Sequence, residues 1–222
     1  DRSKNSKENR YLTLSNQFDI TIAKKLVLTA AYDYRQRDRL YKYRNNTFEY
    51  SRQEGVMETF TSGSVENSYR EVHYGYKGHN VNIYGTYENS WGGHHFKATA
   101  GGQYEDYRST SLDVKQTDLS SDNIDSFTVA TGPITLSQSI SAYRTLGFFG
   151  RVNYDYEGRY IFEASARGDG SSRFEPDHRW GFFPSASAAW RISEESFFEP
   201  VRDVMSNLKL RLSVGSLGNQ QV

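Results

Sequence analysis

The chain has no cysteine, which excludes disulfides and thiolate metal sites. It also lacks any run of about 18 apolar residues, so no helix in it can span a bilayer. An excess of charge of either sign is missing too. Its 27 Lys and Arg balance 27 Asp and Glu, leaving no basic excess to neutralise phosphates and no support for nucleic-acid binding. No G-x-S-x-G, P-loop or H-E-x-x-H pattern occurs, so no catalytic residue, cofactor or metal is assigned and the chain reads as non-enzymatic. Apolar residues make up only 36% and the mean hydropathy is −0.77. That argues against a helical membrane protein but not against a barrel, whose strands are polar at every second residue. The chain opens on Asp1-Arg2-Ser3-Lys4 without Met or signal peptide and stops at Gln220-Gln221-Val222, so both ends read as cut.

Aromatic residues are abundant, with 17 Tyr, 13 Phe and 3 Trp in 222 residues, which makes disorder a poor reading. Interface girdles of a membrane barrel would use them, and so would Tyr-rich loops on a soluble β-sandwich. Hydrophobic periodicity separates the two. Alternation of period two recurs throughout, predicting strands near 11–22, 26–36, 80–91, 96–112, 145–156, 160–167, 181–192 and 207–215. In 160–167, for example, Tyr160, Phe162, Ala164 and Ala166 oppose Glu163, Ser165 and Arg167. Lys24-Lys25, Gly92-Gly93-His94-His95 and Glu157-Gly158-Arg159 read as short turns. The other links are longer: polar, Tyr-rich segments at about 40–77 and 113–143, a loop at 168–180, and an irregular stretch at 193–206 with a helical turn near Glu194–Phe198.

Short turns alternating with long loops are the pattern of a transmembrane barrel, with the short turns facing the periplasm. Strands of this length also suit a tilted crossing, which takes about 9–11 residues, better than a sandwich, whose strands run about 5–6. On the apolar faces, small residues (Ala30, Ala98, Ala100, Ala164, Ala166, Ala186, Ala188) hold strand middles while Tyr, Trp and Phe tend towards the ends. The fold class is therefore all-β: an antiparallel transmembrane β-barrel segment of about eight strands, occupying 1–222. The alternative is a soluble all-β carbohydrate-binding module.

From residue 143 the motifs become specific. They run Leu146-Gly147-Phe148-Phe149-Gly150-Arg151-Val152-Asn153-Tyr154, Gly158-Arg159-Tyr160, Arg167-Gly168-Asp169-Gly170-Ser171-Ser172-Arg173-Phe174 and Arg179-Trp180-Gly181-Phe182-Phe183-Pro184-Ser185. Ala189-Trp190-Arg191-Ile192-Ser193, Leu208 to Gly215 and Gly218-Asn219-Gln220 come after them. In this order the set resembles SusC/RagA-type TonB-linked outer-membrane transporters. The resemblance implies a barrel of about 22 strands, here partial, around a plug absent from this chain. It further implies import of glycan oligosaccharides or peptides across the bacterial outer membrane, a SusD-like surface lipoprotein as lid, and energy from TonB-ExbB-ExbD through the N-terminal part. Outer-membrane lipid would be the surrounding partner.

Candidate site residues come from the loops. Asp169, between Gly168 and Gly170 in a predicted bend, is paired in expectation with Arg173, or Arg173 clasps the loop. Direct substrate contact by this pair is the competing reading. Tyr41, Tyr43 and Tyr50, with Phe48, Tyr69 and Tyr74, could stack on sugar rings, pack on the lid or pack on one another. Asp118, Ser120, Asp122 and Asp125 invite a calcium site but lack the EF-hand glycine and terminal glutamate, so a solvated acidic loop is preferred. His94-His95 would point to opposite faces and chelate poorly. Glu194-Glu195 read as solubilising or capping residues in a turn.

Overall fold

The computed structural model describes residues 4–60, 67–121 and 123–218. Its side chains are described except at 48–50, 59 and 60. Ten strands run in chain order: β1 (Lys4–Ala23), β2 (Leu26–Asn45), β3 (Phe48–Gln53), β4 (Val56–Phe60), β5 (Ser68–Trp91), β6 (His94–Thr117), β7 (Ile134–Tyr156), β8 (Tyr160–Ser171), β9 (Trp180–Arg191) and β10 (Lys209–Gly215). Eight of them form one sheet in the order β1-β2-β5-β6-β7-β8-β9-β10, each strand beside its neighbours in the chain, while β3 and β4 make a separate hairpin.

Turn chemistry fixes the reversals. The I′ form of hairpin turn, whose twist matches the strands, takes positive φ at both central positions, and Gly92 and Gly93 supply it at 50° and 83°. Glu157 (53°) and Gly158 (69°) do the same between β7 and β8, where Asp155 Oδ1 accepts from the Gly158 N–H at 2.8 Å.

The chain divides into two compact units. One comprises Asp1–Thr13, Tyr34–Gly78 and Tyr107–Ala142; the other comprises Leu14–Asp33, His79–Asp106 and Tyr143–Val222. The first holds a small core of Tyr69, Val72 and Leu119. Arg44, also buried there, donates to Asn67 Oδ1 (3.0 Å) and to the Ser121 carbonyl (2.9 Å), tying the connection 118–133 to β2.

In the second unit the register defines two faces. Phe162 pairs with Tyr154 and Ala188, and Ala188 with Leu212. Ala164 pairs with Val152 and Ala186, and Ala186 with Val214. Residues directly opposite share a face, so these rows make one continuous apolar surface. It is not covered: Phe162, Phe182, Leu212 and Val214 are all more than half exposed. Rings flank the small residues, with Tyr156 beside Tyr160 at one end and Phe148 beside Trp180 at the other. The opposite face carries Asn153, Glu163, Ser187 and Ser213 in one row.

The strands are longer than the alternation predicts. Five run to between 20 and 24 residues, and the predicted loops 40–77 and 113–143 shrink to connections around the β3–β4 hairpin and at 118–133. Past the apolar rows β2 and β5 mix polar residues and tyrosines on both faces, so the hydrophobic alternation fades although the backbone keeps its ladder; on β7 it persists, with Ile134, Leu136 and Ile140 exposed at even-numbered positions inside the segment expected to be loop. The bend predicted at Gly168-Asp169-Gly170 is strand as well, and the loop is only 172–179. Gly170 leaves room for a ring on β9 rather than bending the chain: a Cβ there would lie 2.9 Å from the Trp180 indole, whereas one at Gly168 would meet only the Gly181 carbonyl oxygen at 3.9 Å. The irregular stretch after β9 forms 3-10 helices at Ile192–Glu194 and Ser196–Val201.

Candidate functional site

Each unit carries one cluster of ring and charged side chains on the polar face. On β1 and β2, contacts join Asp19 with Thr29, Ser15 with Asp33, Tyr11 with Arg37 and Lys7 with Tyr41. Every pair is symmetric about the same turn, so the register does not slip and the odd-numbered residues share a face. Tyr41 and Tyr43 therefore lie opposite the even-numbered apolar residues of β2.

In the first unit the Tyr41 and Tyr43 rings stack at 6.3 Å, and Tyr74 of β5 meets Tyr41 edge-on at 5.8 Å. Lys7 lies 5.3 Å above Tyr41, and the Arg70 guanidinium 5.6 Å above Tyr43. Arg70 is fixed by a two-pronged hydrogen bond to Asp113 of β6, one prong Nε to Oδ1 at 2.8 Å. Beside that guanidinium the Asp113 carboxyl is held below its ordinary range. Tyr76 and Tyr107 add a second edge-on pair at 4.9 Å. Strand pairing thus joins predicted residues Tyr41, Tyr43 and Tyr74 with Lys7, Arg70, Tyr76, Tyr107 and Asp113, which sequence reasoning missed. The available signal was parity, since these residues share the face opposite the apolar one. Tyr69 has another fate. It is buried against Phe127 at 4.8 Å, its hydroxyl donates to Glu71 Oε1 at 2.7 Å, and burial pushes its pKa up. The Phe48 and Tyr50 side chains lie outside the described residues.

In the second unit Asp169 lines a cavity of about 510 Å³ with Glu105, Thr145, Arg167, Phe174 and Arg179. Its carboxylate is held by Arg167, whose Nε donates to both oxygens at 2.8 and 2.7 Å. Arg167 Nη2 also donates to Gln103 Oε1 at 2.8 Å. Glu105 accepts from Gln103 Nε2 (3.1 Å), Asn80 Nδ2 (3.3 Å) and the Thr145 hydroxyl (3.2 Å). Arg173, the expected partner of Asp169, sets its guanidinium 4.0 Å from the centre of the Tyr143 ring, while its backbone N–H donates to Ser171 Oγ at 3.4 Å. The wall is a preorganised polar network edged by rings.

Among the described residues no three His, Cys, Asp or Glu converge as metal ligands. Asp125 faces the Arg44 guanidinium at 3.8 Å, and Asp122 lies outside the described residues. His94 and His95 do point apart, the first to the Tyr154 hydroxyl at 2.7 Å and the second to Ser90 Oγ at 2.8 Å.

Residues 1–217 match the family described as TonB dependent receptor-like, beta-barrel. The chain belongs to this family. Within the TonB-dependent receptor barrels it is of the SusC/RagA type. It is similar to TonB-dependent receptor SusC of Bacteroides thetaiotaomicron, 36% identical over 182 residues, covering 76% of this chain and 17% of the relative. TonB-dependent receptor P26 of Formosa agariphila is 42% identical over 87 residues, 39% of this chain and 9% of that one. Among solved structures, the RagAB peptide transporter superposes on all of this chain and 24% of its own, at a TM-score of 0.79 and 19% identity. The RagAB peptide importer in its 'closed-closed' state gives 0.71 at 17% identity, over 96% of this chain and 23% of that one. The likeness to these structures shows a shared fold, and the chain spans less than a quarter of each relative.

Proposed function

We propose that this chain forms part of the wall of an outer-membrane active transporter that imports oligosaccharides or peptides. The observation that carries the reading is the two-faced sheet. An exposed aliphatic and aromatic surface suits lipid, and the opposite face presents half-exposed rings among fixed charges, which suits a water-filled passage. The alternative of a soluble carbohydrate-binding module is not favoured, because a soluble sandwich would bury Phe182, Leu212 and Val214.

In this reading the turns at 24–25, 92–93 and 157–159 face the periplasm, while the β3–β4 hairpin and the connections 118–133 and 172–179 face outwards. A SusD-like lipoprotein closes over that outer side, and TonB-ExbB-ExbD supplies energy through another part of the protein. Tyrosine faces stack on sugar rings or peptide side chains, and the Arg70–Asp113 and Arg167–Asp169 pairs orient polar groups. Uptake of labelled oligosaccharide and peptide pools by cells with and without the gene tests this. One pool should enter only in the presence of both the gene and TonB. Equal uptake of both pools without the gene contradicts the proposal.

A further inference from the structure

The connection between β9 and β10 differs from the other links at its end of the strands. Turns of two or three residues serve there elsewhere, whereas this connection spans 192–208 with two 3-10 helices. Its anchor is Glu195, which accepts hydrogen bonds from Tyr160 Oη (2.7 Å), Trp190 Nε1 (3.0 Å) and Arg159 Nη1 (3.3 Å). Tyr160 and Trp190 face each other in the last row of the apolar face. The connection is therefore fastened to the polar tips of that face's rim.

Beyond Glu195 the connection is unusually apolar for a hydrophilic turn. Phe197 meets Trp190 edge-on at 6.3 Å and is 63% exposed, and Val204 is 93% exposed. Val201 and Met205 are exposed as well, on a turn closed by the Met205 N–H to the Val201 carbonyl at 2.9 Å. A one-turn projection of this kind gains nothing in water from showing four apolar side chains. It gains if they continue the surface already formed by Tyr160, Trp190 and Leu210, because apolar groups at a bilayer boundary are removed from water while nearby charges stay wet.

We infer that residues 196–205 are a foot resting in the periplasm-facing interface of the bilayer, with Phe197 and Val204 inserted among lipid. The occupant is lipid because Phe197 joins the exposed apolar face through Trp190, and the exposed Val201, Val204 and Met205 follow on the same short helix and the turn that ends it. The inference rests on the membrane reading above, and its test separates the two. These 222 residues hold no cysteine, so single thiols are introduced at Phe197, Val204, Ala188 and Lys24 of the full-length protein, after any cysteine outside this stretch has been replaced by serine. Each is spin-labelled in the protein reconstituted into phosphatidylethanolamine–phosphatidylglycerol vesicles, and collisions with oxygen and with a water-soluble nickel chelate are compared. Ala188→Cys should favour oxygen and Lys24→Cys the chelate. F197C and V204C should fall on the oxygen side, shallower than Ala188. Chelate access at both equal to that at Lys24, with Ala188 still in lipid, overturns the foot alone. Protection from both probes at Val204 means that protein covers the site, and also overturns it. Chelate access at Ala188 removes the membrane reading and the foot with it. Val204, almost wholly exposed, packs on nothing that its replacement would disturb, so it remains decisive if Phe197→Cys loosens Trp190.

Discussion

At the residue scale, alternation decides what a substitution costs. Ala164 and Ala188 lie in the apolar rows, and Ser165 and Ser187 on the polar face of the same strands. Arginine at either alanine should cost about 2–4 kcal/mol near mid-bilayer, whereas arginine at either serine should be tolerated. Heat-modifiable migration on gels, which reports the folded barrel, reads the difference. Glu195 makes a pH prediction. Its hydrogen bonds from Tyr160 and then Trp190, with Arg159 nearby, hold its carboxyl below the ordinary range. A depressed folded pKa means that this stabilisation is complete above the unfolded value of about 4.3 and is lost as pH falls through the folded one. The stability difference between the parent and Glu195→Gln, from thermal unfolding in detergent, should therefore be flat at neutral pH and shrink only in acid. At the ligand, Tyr41→Ala should weaken binding of the transported pool by roughly two- to tenfold, the worth of one stacking contact, as measured by calorimetry on folded protein. Which face a residue occupies was legible in the sequence, because period two survives averaging. The partner of Asp169 was not. A bend was read from Gly168 and Gly170, and only a straight strand puts Arg167 on the same side as Asp169, two residues away.

At the scale of elements, the eight paired strands and their order were readable from turns and alternation, but their lengths were not. Strand pairing continues wherever backbone partners exist, whereas on β2 and β5 the hydrophobic signal fades before the strand ends; on β7 the alternation of Ile134, Leu136 and Ile140 was there to be read. The tyrosine strip was hidden for a related reason. Tyr43, Arg70 and Asp113 belong to three strands and meet only once β2, β5 and β6 are aligned. Close strand approach yields a further prediction. A Cβ at Gly101 would sit 2.3 Å from the Ile83 carbonyl oxygen, a backbone atom with nowhere to go, whereas at Gly150 nothing lies within 4 Å. Gly101→Ala should cost at least about 1–3 kcal/mol by overpacking and lower the melting temperature. Gly150→Ala should leave it unchanged or slightly raised.

For the whole molecule, the membership in the TonB-dependent receptor family and the exposed apolar face meet in one claim: one side of this sheet looks at lipid and the other at water. The most direct measurement is a cysteine scan along β9 in native outer membranes, read by labelling with a membrane-impermeant maleimide after permeabilising the periplasmic side. Labelling is expected at Ser185, Ser187 and Ala189, and protection at Pro184, Ala186 and Ala188. Uniform labelling at all six, or protection with no period of two, would contradict the claim.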